Sequence, residues 1–98
     1  MSTFCVYLLR YADDGHVFYV GQTANEQRRF RQHLAGECKS TAPAILEAQR
    51  QGREVRMQVV ARFGSREEAV DHETVLIYRA FCKSYRLCNH QHRAKLSA

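Results

Sequence analysis

Two runs of aromatic and aliphatic residues, separated by a turn sequence, open the chain. The first run covers residues 4–11 and the second covers residues 17–20, with Ala12-Asp13-Asp14-Gly15 between them. Residues of these types favour β-strands, and a short Asp/Gly-containing segment between two such runs is typical of a hairpin. The pattern therefore predicts an antiparallel β-hairpin. Because side chains alternate along a strand, Tyr7 shares one face of the first strand with Cys5 and Leu9.

Two sequences of the form Ser/Thr-x-x-Glu predict helix starts. Thr23-Ala24-Asn25-Glu26 predicts a helix from about residue 24 to Leu34, with Phe30 and Leu34 on its inner stripe. Ser65-Arg66-Glu67-Glu68 predicts the longest helix, which ends at about residue 81 or 83.

The segment between these helices is predicted to form a loop, a short helix and a third strand. Residues 44–51 read as a helix with Pro43 in its first turn and Gly52 behind its end, and residues 54–63 read as a strand. The predicted order is β-β-α-α-β-α. This is an α+β fold with a small three-stranded antiparallel sheet flanked by helices. At 98 residues the chain has room for a single domain, residues 1–98, in which residues 83–98 form a polar C-terminal tail.

The charge balance of the chain fits either an anionic partner or a merely soluble basic surface. The net charge is +5, and most of the cations are arginine, whose planar guanidinium suits phosphate. Four of these arginines are predicted to contact a nucleic-acid backbone: Arg28, Arg31, Arg50 and Arg53.

The chain has neither a secretory signal pattern nor an apolar run of the ~18 residues that a membrane span needs. We therefore expect a cytoplasmic protein without a membrane partner. The four cysteines are expected to be reduced thiols.

One acidic residue falls on the apolar stripe of the longest predicted helix. Glu73 lies three or four residues from several members of that stripe, which are Ala69, Val70, Leu76, Ile77, Ala80 and Phe81. Burying an unpaired carboxylate costs several kcal/mol, so Glu73 needs a metal ion, a cation or a proton. A salt bridge to an arginine, or a position at the rim of the stripe, is the structural alternative to a metal site.

The hairpin and the first helix carry a recognisable set of residues in order. Cys5-Val6-Tyr7 and Tyr19-Val20-Gly21, followed by Arg29 and His33, resemble the GIY-YIG nuclease superfamily, and the resemblance covers essentially the whole chain. Cysteine and valine replace glycine and isoleucine in the first motif, and valine replaces isoleucine in the second. These are small or aliphatic residues that suit a buried strand.

The resemblance implies a set of residues around one scissile phosphate: Tyr7, Tyr19, Arg29, His33, Glu73 and Asn89. Asn89 fits the family spacing only loosely, and an asparagine in a loop is most often a turn residue.

The resemblance also implies a role for each of the others. Tyr7 would help to activate the water, and Tyr19 would hydrogen-bond the phosphate or share that task. Arg29 would grip the non-bridging oxygens, and His33 would act as a donor or proton relay. Glu73 would hold one Mg²⁺ or Mn²⁺, largely through waters.

The expected function is a metal-dependent endonuclease that hydrolyses phosphodiester bonds in DNA. The alternative is a GIY-YIG-like module that binds nucleic acid without cutting it and acts with a partner protein. The choice between DNA and RNA, a preference for branched substrates, and a homodimer or a targeting partner all stay open. A zinc site at Cys82, Cys88, His90 and His92 is disfavoured, because these spacings lack the usual Cys-x2-4-Cys pair.

Overall fold

The computed structural model of the protein describes residues 3–82 and 87–88. Its elements, in chain order, are β1 (Phe4–Tyr11), β2 (Val17–Thr23), α1 (Glu26–Leu34), α2 (Ala42–Arg50), β3 (Val55–Phe63) and α3 (Arg66–Cys82). The predicted order and fold class are confirmed. Asn89 and two of the residues considered as zinc ligands, His90 and His92, lie outside the described residues. No helix in residues 3–82 is long and apolar enough to cross a membrane.

The three strands form one antiparallel sheet in the order β2-β1-β3. In the register between β1 and β2, Tyr7 lies opposite Gly21 and Leu9 lies opposite Tyr19. Directly opposed residues point to the same side of a sheet. The two tyrosines of the sequence motifs therefore lie on one side, on the centre strand and the edge strand respectively.

Both faces of the sheet are covered, since α3 packs on one face and α2 on the other. Val6, Val20 and Ile77 belong to the apolar cluster beneath α3. Tyr7 and Leu9 belong to a second cluster with Ile45 of α2. Val6 and Tyr7 are consecutive in β1 and are both fully buried, because their side chains point into the two apolar clusters on opposite faces of the sheet.

The start of α1 differs from the prediction. Asn25 is the N-cap, and its side chain accepts a hydrogen bond from the backbone N–H of Arg28 at 3.0 Å. Thr23 instead accepts from the backbone N–H of Asn25 at 3.1 Å, which makes a local turn, and Glu26 accepts from Arg62 at 2.8 Å. The predicted capping box at Thr23 is therefore wrong, because two cap-forming residues compete and the nearer one caps the helix. At the second predicted start, Ser65 accepts from the backbone N–H of Glu68 at 3.2 Å, as expected.

Two further differences bear on the site. β2 continues beyond residue 20 to Thr23, so Gly21 is paired within the sheet. Leu34 is 38% exposed, whereas its neighbour His33 is the buried residue of α1. Of the two residues predicted for the inner stripe, Phe30 packs against the apolar cluster that contains Tyr7, as predicted, whereas Leu34 does not and His33 points inward.

Candidate active site

Tyr7 and Tyr19 lie side by side because the hairpin register brings them together. Their ring centroids are 6.1 Å apart, and Tyr7 is fully buried. Gly21 gives them room. A Cβ at Gly21 would lie 2.5 Å from the hydroxyl oxygen of Tyr7 and 2.8 Å from a ring carbon of Tyr19. The absence of a side chain at Gly21 therefore makes space for both rings.

His33 completes this group from α1. Its Nε2 lies 2.8 Å from the hydroxyl oxygen of Tyr7, and its ring centroid is 5.2 Å from that of Tyr19. Its other ring nitrogen, Nδ1, lies 2.6 Å from Oγ1 of Thr41. Both nitrogens of a fully buried imidazole are thus engaged. No pattern in the sequence indicates Thr41, since an isolated threonine carries no motif.

Burial and charge set the protonation of these groups. Burial, with the positive charge of Arg29 adding to it, lowers the pKa of His33 to about 4. Burial raises the pKa of Tyr7 well above its usual range and, with the charge of Glu73, raises the pKa of Tyr19 to about 12. At neutral pH, in the absence of substrate, the imidazole is neutral and both phenols are protonated. Arg29 acts in the opposite direction on the tyrosines and favours their ionised forms.

Glu73 reaches the same group from the other face of the sheet. It lies on α3, is 6% exposed, and is close enough for its charge to raise the pKa of Tyr7 and of Tyr19. The predicted burial of this carboxyl is confirmed. Burial raises its own pKa to about 7, which means that the fold disfavours the bare anion and favours a proton or a cation beside it.

A divalent cation at Glu73 would have few protein ligands. Within residues 3–82 and 87–88, no three His, Cys, Asp or Glu side chains cluster in a way that could hold a metal. A single buried carboxylate suits Mg²⁺, which takes oxygen ligands, keeps several of its waters and is commonly held by one or two carboxylates together with substrate phosphate. It does not suit a zinc-type site, which needs three or four protein ligands.

A pocket of about 340 Å³ adjoins Arg29. It is lined by Gln22, Thr23, Ala24, Asn25, Arg28, Arg29, Gln32 and Arg66. Two of its arginines come from α1 and the third, Arg66, begins α3. Nε of Arg29 and Oε1 of Gln22 are buried and lack a hydrogen-bond partner among the described residues. The pocket therefore offers cationic and polar groups to a ligand.

Several arginines away from the pocket have carboxylate neighbours. Arg53 donates two hydrogen bonds to Asp13, at 2.8 and 2.9 Å, and stacks on the ring of Tyr11. Arg50 lies 3.8 Å from Glu47 on the surface of α2. No ion pair within the described part of the chain involves Arg28, Arg29 or Arg66. Among the described residues, Arg28 and Arg29 therefore have no carboxylate partner at the pocket, and Arg66 lies over the ring of Phe4, 5.9 Å from its centroid.

The four predicted backbone-binding arginines are therefore in different positions. Arg28 lines the pocket, Arg31 is exposed on α1 outside the pocket lining, and Arg50 and Arg53 have carboxylate neighbours. Their contact with nucleic acid stays a prediction. Arg66 is the pocket arginine that the sequence did not single out.

Comparison with known proteins gives one match. A family model described as the GIY-YIG catalytic domain matches residues 3–83 of the 98-residue chain. This span contains the tyrosine pair, His33, Thr41 and Glu73, and it ends before Asn89. No curated protein and no solved structure matches the chain.

Proposed function

The chain belongs to the GIY-YIG catalytic-domain family, and from that premise we propose that it is a divalent-metal-dependent endonuclease that hydrolyses phosphodiester bonds in DNA. The observation that carries the proposal is the buried hydrogen bond between the hydroxyl of Tyr7 and Nε2 of His33, 2.8 Å long. A phenol paired with a neutral imidazole, with an arginine and a buried carboxyl close by, has the parts needed to activate water beside a phosphate.

Tyr7 and His33 act together as the base. As the attacking water loses a proton to the oxygen of Tyr7, the phenolic proton of Tyr7 moves to Nε2 of His33. The hydroxide forms a bond to phosphorus, the bond from phosphorus to the 3′ oxygen breaks, and the 3′ oxygen takes a proton from solvent water. Because the phenol gains one proton while giving up another, no free phenolate accumulates, and the high pKa of Tyr7 is not an obstacle. The negative phosphate favours the imidazolium form of His33.

The other residues bind and neutralise charge. Arg29 directs its guanidinium at the non-bridging oxygens, and the hydroxyl of Tyr19 donates a hydrogen bond to the phosphate. Glu73 would hold the divalent ion, which would supply a positive charge for the leaving oxygen. Asn89 stays a predicted member of the site.

Replacing Arg29 with alanine is expected to lower the cleavage rate by roughly 10²-fold or more, the usual effect of losing one preorganised donor at a developing charge. The measurement is the initial rate of nicking of supercoiled plasmid in Mg²⁺. The matched control is Arg79→Ala, which removes an exposed arginine in the last turn of α3. An Arg29→Ala protein that cuts at the wild-type rate would remove Arg29 from the mechanism.

The arginine-lined pocket is expected to bind a backbone phosphate next to the scissile one. Arg28→Gln and Arg66→Gln should each weaken DNA binding. Each should also reduce the slope of log affinity against log salt by about 0.9, the contribution of one phosphate contact on duplex DNA. The measurement is DNA affinity by fluorescence anisotropy at several salt concentrations without divalent ions, with Arg79→Gln as the control. Unchanged slopes for both pocket variants would show that the DNA backbone does not enter the pocket.

A further inference from the structure

Thr41 has a hydroxyl that its own helix does not use. It is the N-cap residue of α2, it is fully buried, and its side chain makes no capping hydrogen bond. A threonine at this position usually accepts a hydrogen bond from a backbone N–H of the first turn. Here Oγ1 lies 2.6 Å from Nδ1 of His33 instead. The hydroxyl is therefore diverted from the helix to the imidazole.

One consistent direction of hydrogen bonding runs from the imidazole to the end of this chain of groups. Oγ1 of Thr41 donates to the carbonyl oxygen of Cys38 at 3.4 Å, and a carbonyl can only accept. A hydroxyl has a single proton, so if Thr41 donates to Cys38 it must accept from Nδ1–H of His33. In a neutral imidazole, protonation of Nδ1 leaves a lone pair on Nε2. Nε2 is the atom 2.8 Å from the hydroxyl of Tyr7.

We infer that Thr41 is a positioning residue that holds neutral His33 in the Nδ1–H tautomer, so that Nε2 is free to accept the proton of Tyr7. The consequence of this tautomer for catalysis rests on the proposed function. In the other tautomer, Nε2 would carry a proton directed at Tyr7, and the transfer from phenol to imidazole could not occur. Thr41 thus sets the direction of proton movement without touching substrate.

The tautomer can be measured without any cleavage assay. Two-bond ¹H–¹⁵N correlation spectra of the full chain at neutral pH report which ring nitrogen of His33 is protonated. The wild type and Thr41→Ser are expected to show protonated Nδ1 and unprotonated Nε2. Thr41→Val, which keeps the shape but removes the acceptor, is expected to shift His33 toward the Nε2–H form. Protonated Nε2 in the wild type overturns the inference, as does an unchanged tautomer in Thr41→Val.

Cleavage provides the second readout. Thr41→Val is expected to lower the rate of plasmid nicking by roughly 10²-fold, the lower range of what a general base contributes, with DNA affinity unchanged. Thr41→Ser is expected to recover most of that loss. Wild-type nicking by Thr41→Val would overturn the catalytic consequence. If Thr41→Val fails to fold, the wild-type and Thr41→Ser spectra still decide the tautomer. If the wild type does not cut DNA at all, the proposed function fails while the tautomer result stands.

Discussion

Glu73→Gln is expected to remove metal-dependent cleavage and, at the same time, to make the metal-free protein more stable above pH 7. The loss of cleavage follows because a neutral amide does not hold a hard divalent cation as a carboxylate does. We expect the nicking rate to fall by on the order of 10³-fold or more, the upper range for losing a group that stabilises the developing charge.

The gain in stability follows from the raised pKa of the buried carboxyl. The pKa of Glu73 is about 7 in the fold, against an ordinary value of 4.5, so the folded state binds the proton more tightly than the unfolded chain does. The stabilisation that this proton gives is fully present below about pH 4.5 and is lost as the pH rises through about 7. Glutamine does not titrate. The variant should therefore match the wild type at pH 4.5 and exceed it at pH 8.

Thermal unfolding in EDTA measures this difference. Each unit of pKa shift corresponds to about 1.4 kcal/mol, and 1 kcal/mol moves the Tm of a domain of this size by roughly 4–8 °C. An added Tm of roughly 10 °C or more at pH 8, absent at pH 4.5, is expected for Glu73→Gln. Adding Mg²⁺ at pH 8 should then raise the Tm of the wild type alone, because only the wild type binds the ion. Equal Mg²⁺ stabilisation of both proteins would place the metal elsewhere.

Gly21→Ala is expected to impair both stability and cleavage. The added Cβ would meet the hydroxyl oxygen of Tyr7 at 2.5 Å, its ring carbon Cζ at 2.6 Å and a ring carbon of Tyr19 at 2.8 Å. Real Cβ contacts are not this short, so both rings or the pairing of β1 with β2 must shift. Overpacking of this kind costs about 1–3 kcal/mol. The displaced hydroxyl of Tyr7 would also leave Nε2 of His33, which removes the base.

The measurements for Gly21→Ala are the Tm and the rate of plasmid nicking. Gly64→Ala is the matched control, because a Cβ at Gly64 meets nothing within 4 Å. We expect the control to keep the wild-type values. A Gly21→Ala protein with wild-type Tm and rate would mean that the tyrosine hydroxyls do not need their observed positions.

Local patterns predicted the elements of the fold well. A continuous run of aromatic and aliphatic residues placed β1 at its observed bounds, Phe4–Tyr11, because both faces of that strand are apolar and a turn sequence ends it. The helical period of α3 was enough to predict that Glu73 is buried, since the phase of a long apolar stripe is well determined. Cys5 is 3% exposed, which agrees with a small residue buried in the first motif.

Features that depend on competition between capping residues or on tertiary contacts could not be predicted from the sequence. α1 has nine residues, too few to fix its phase, so Leu34 was assigned to the inner stripe while His33 is the buried residue. The contact of Thr41 with His33 depends on how the segment between α1 and α2 folds back. Arg66 lines the pocket because the start of α3 lies beside the end of β2. The strand order of the sheet brings these two ends together.

The most direct test of the proposed nuclease is the initial rate at which the purified wild-type chain nicks supercoiled plasmid in Mg²⁺, measured beside Glu73→Gln and in EDTA. We predict nicking by the wild type in Mg²⁺, and none by the wild type in EDTA or by Glu73→Gln in either condition. Equal nicking by wild type and Glu73→Gln would contradict the proposed site. A wild type that binds the plasmid but leaves it uncut would contradict the proposed endonuclease and favour a nucleic-acid-binding module.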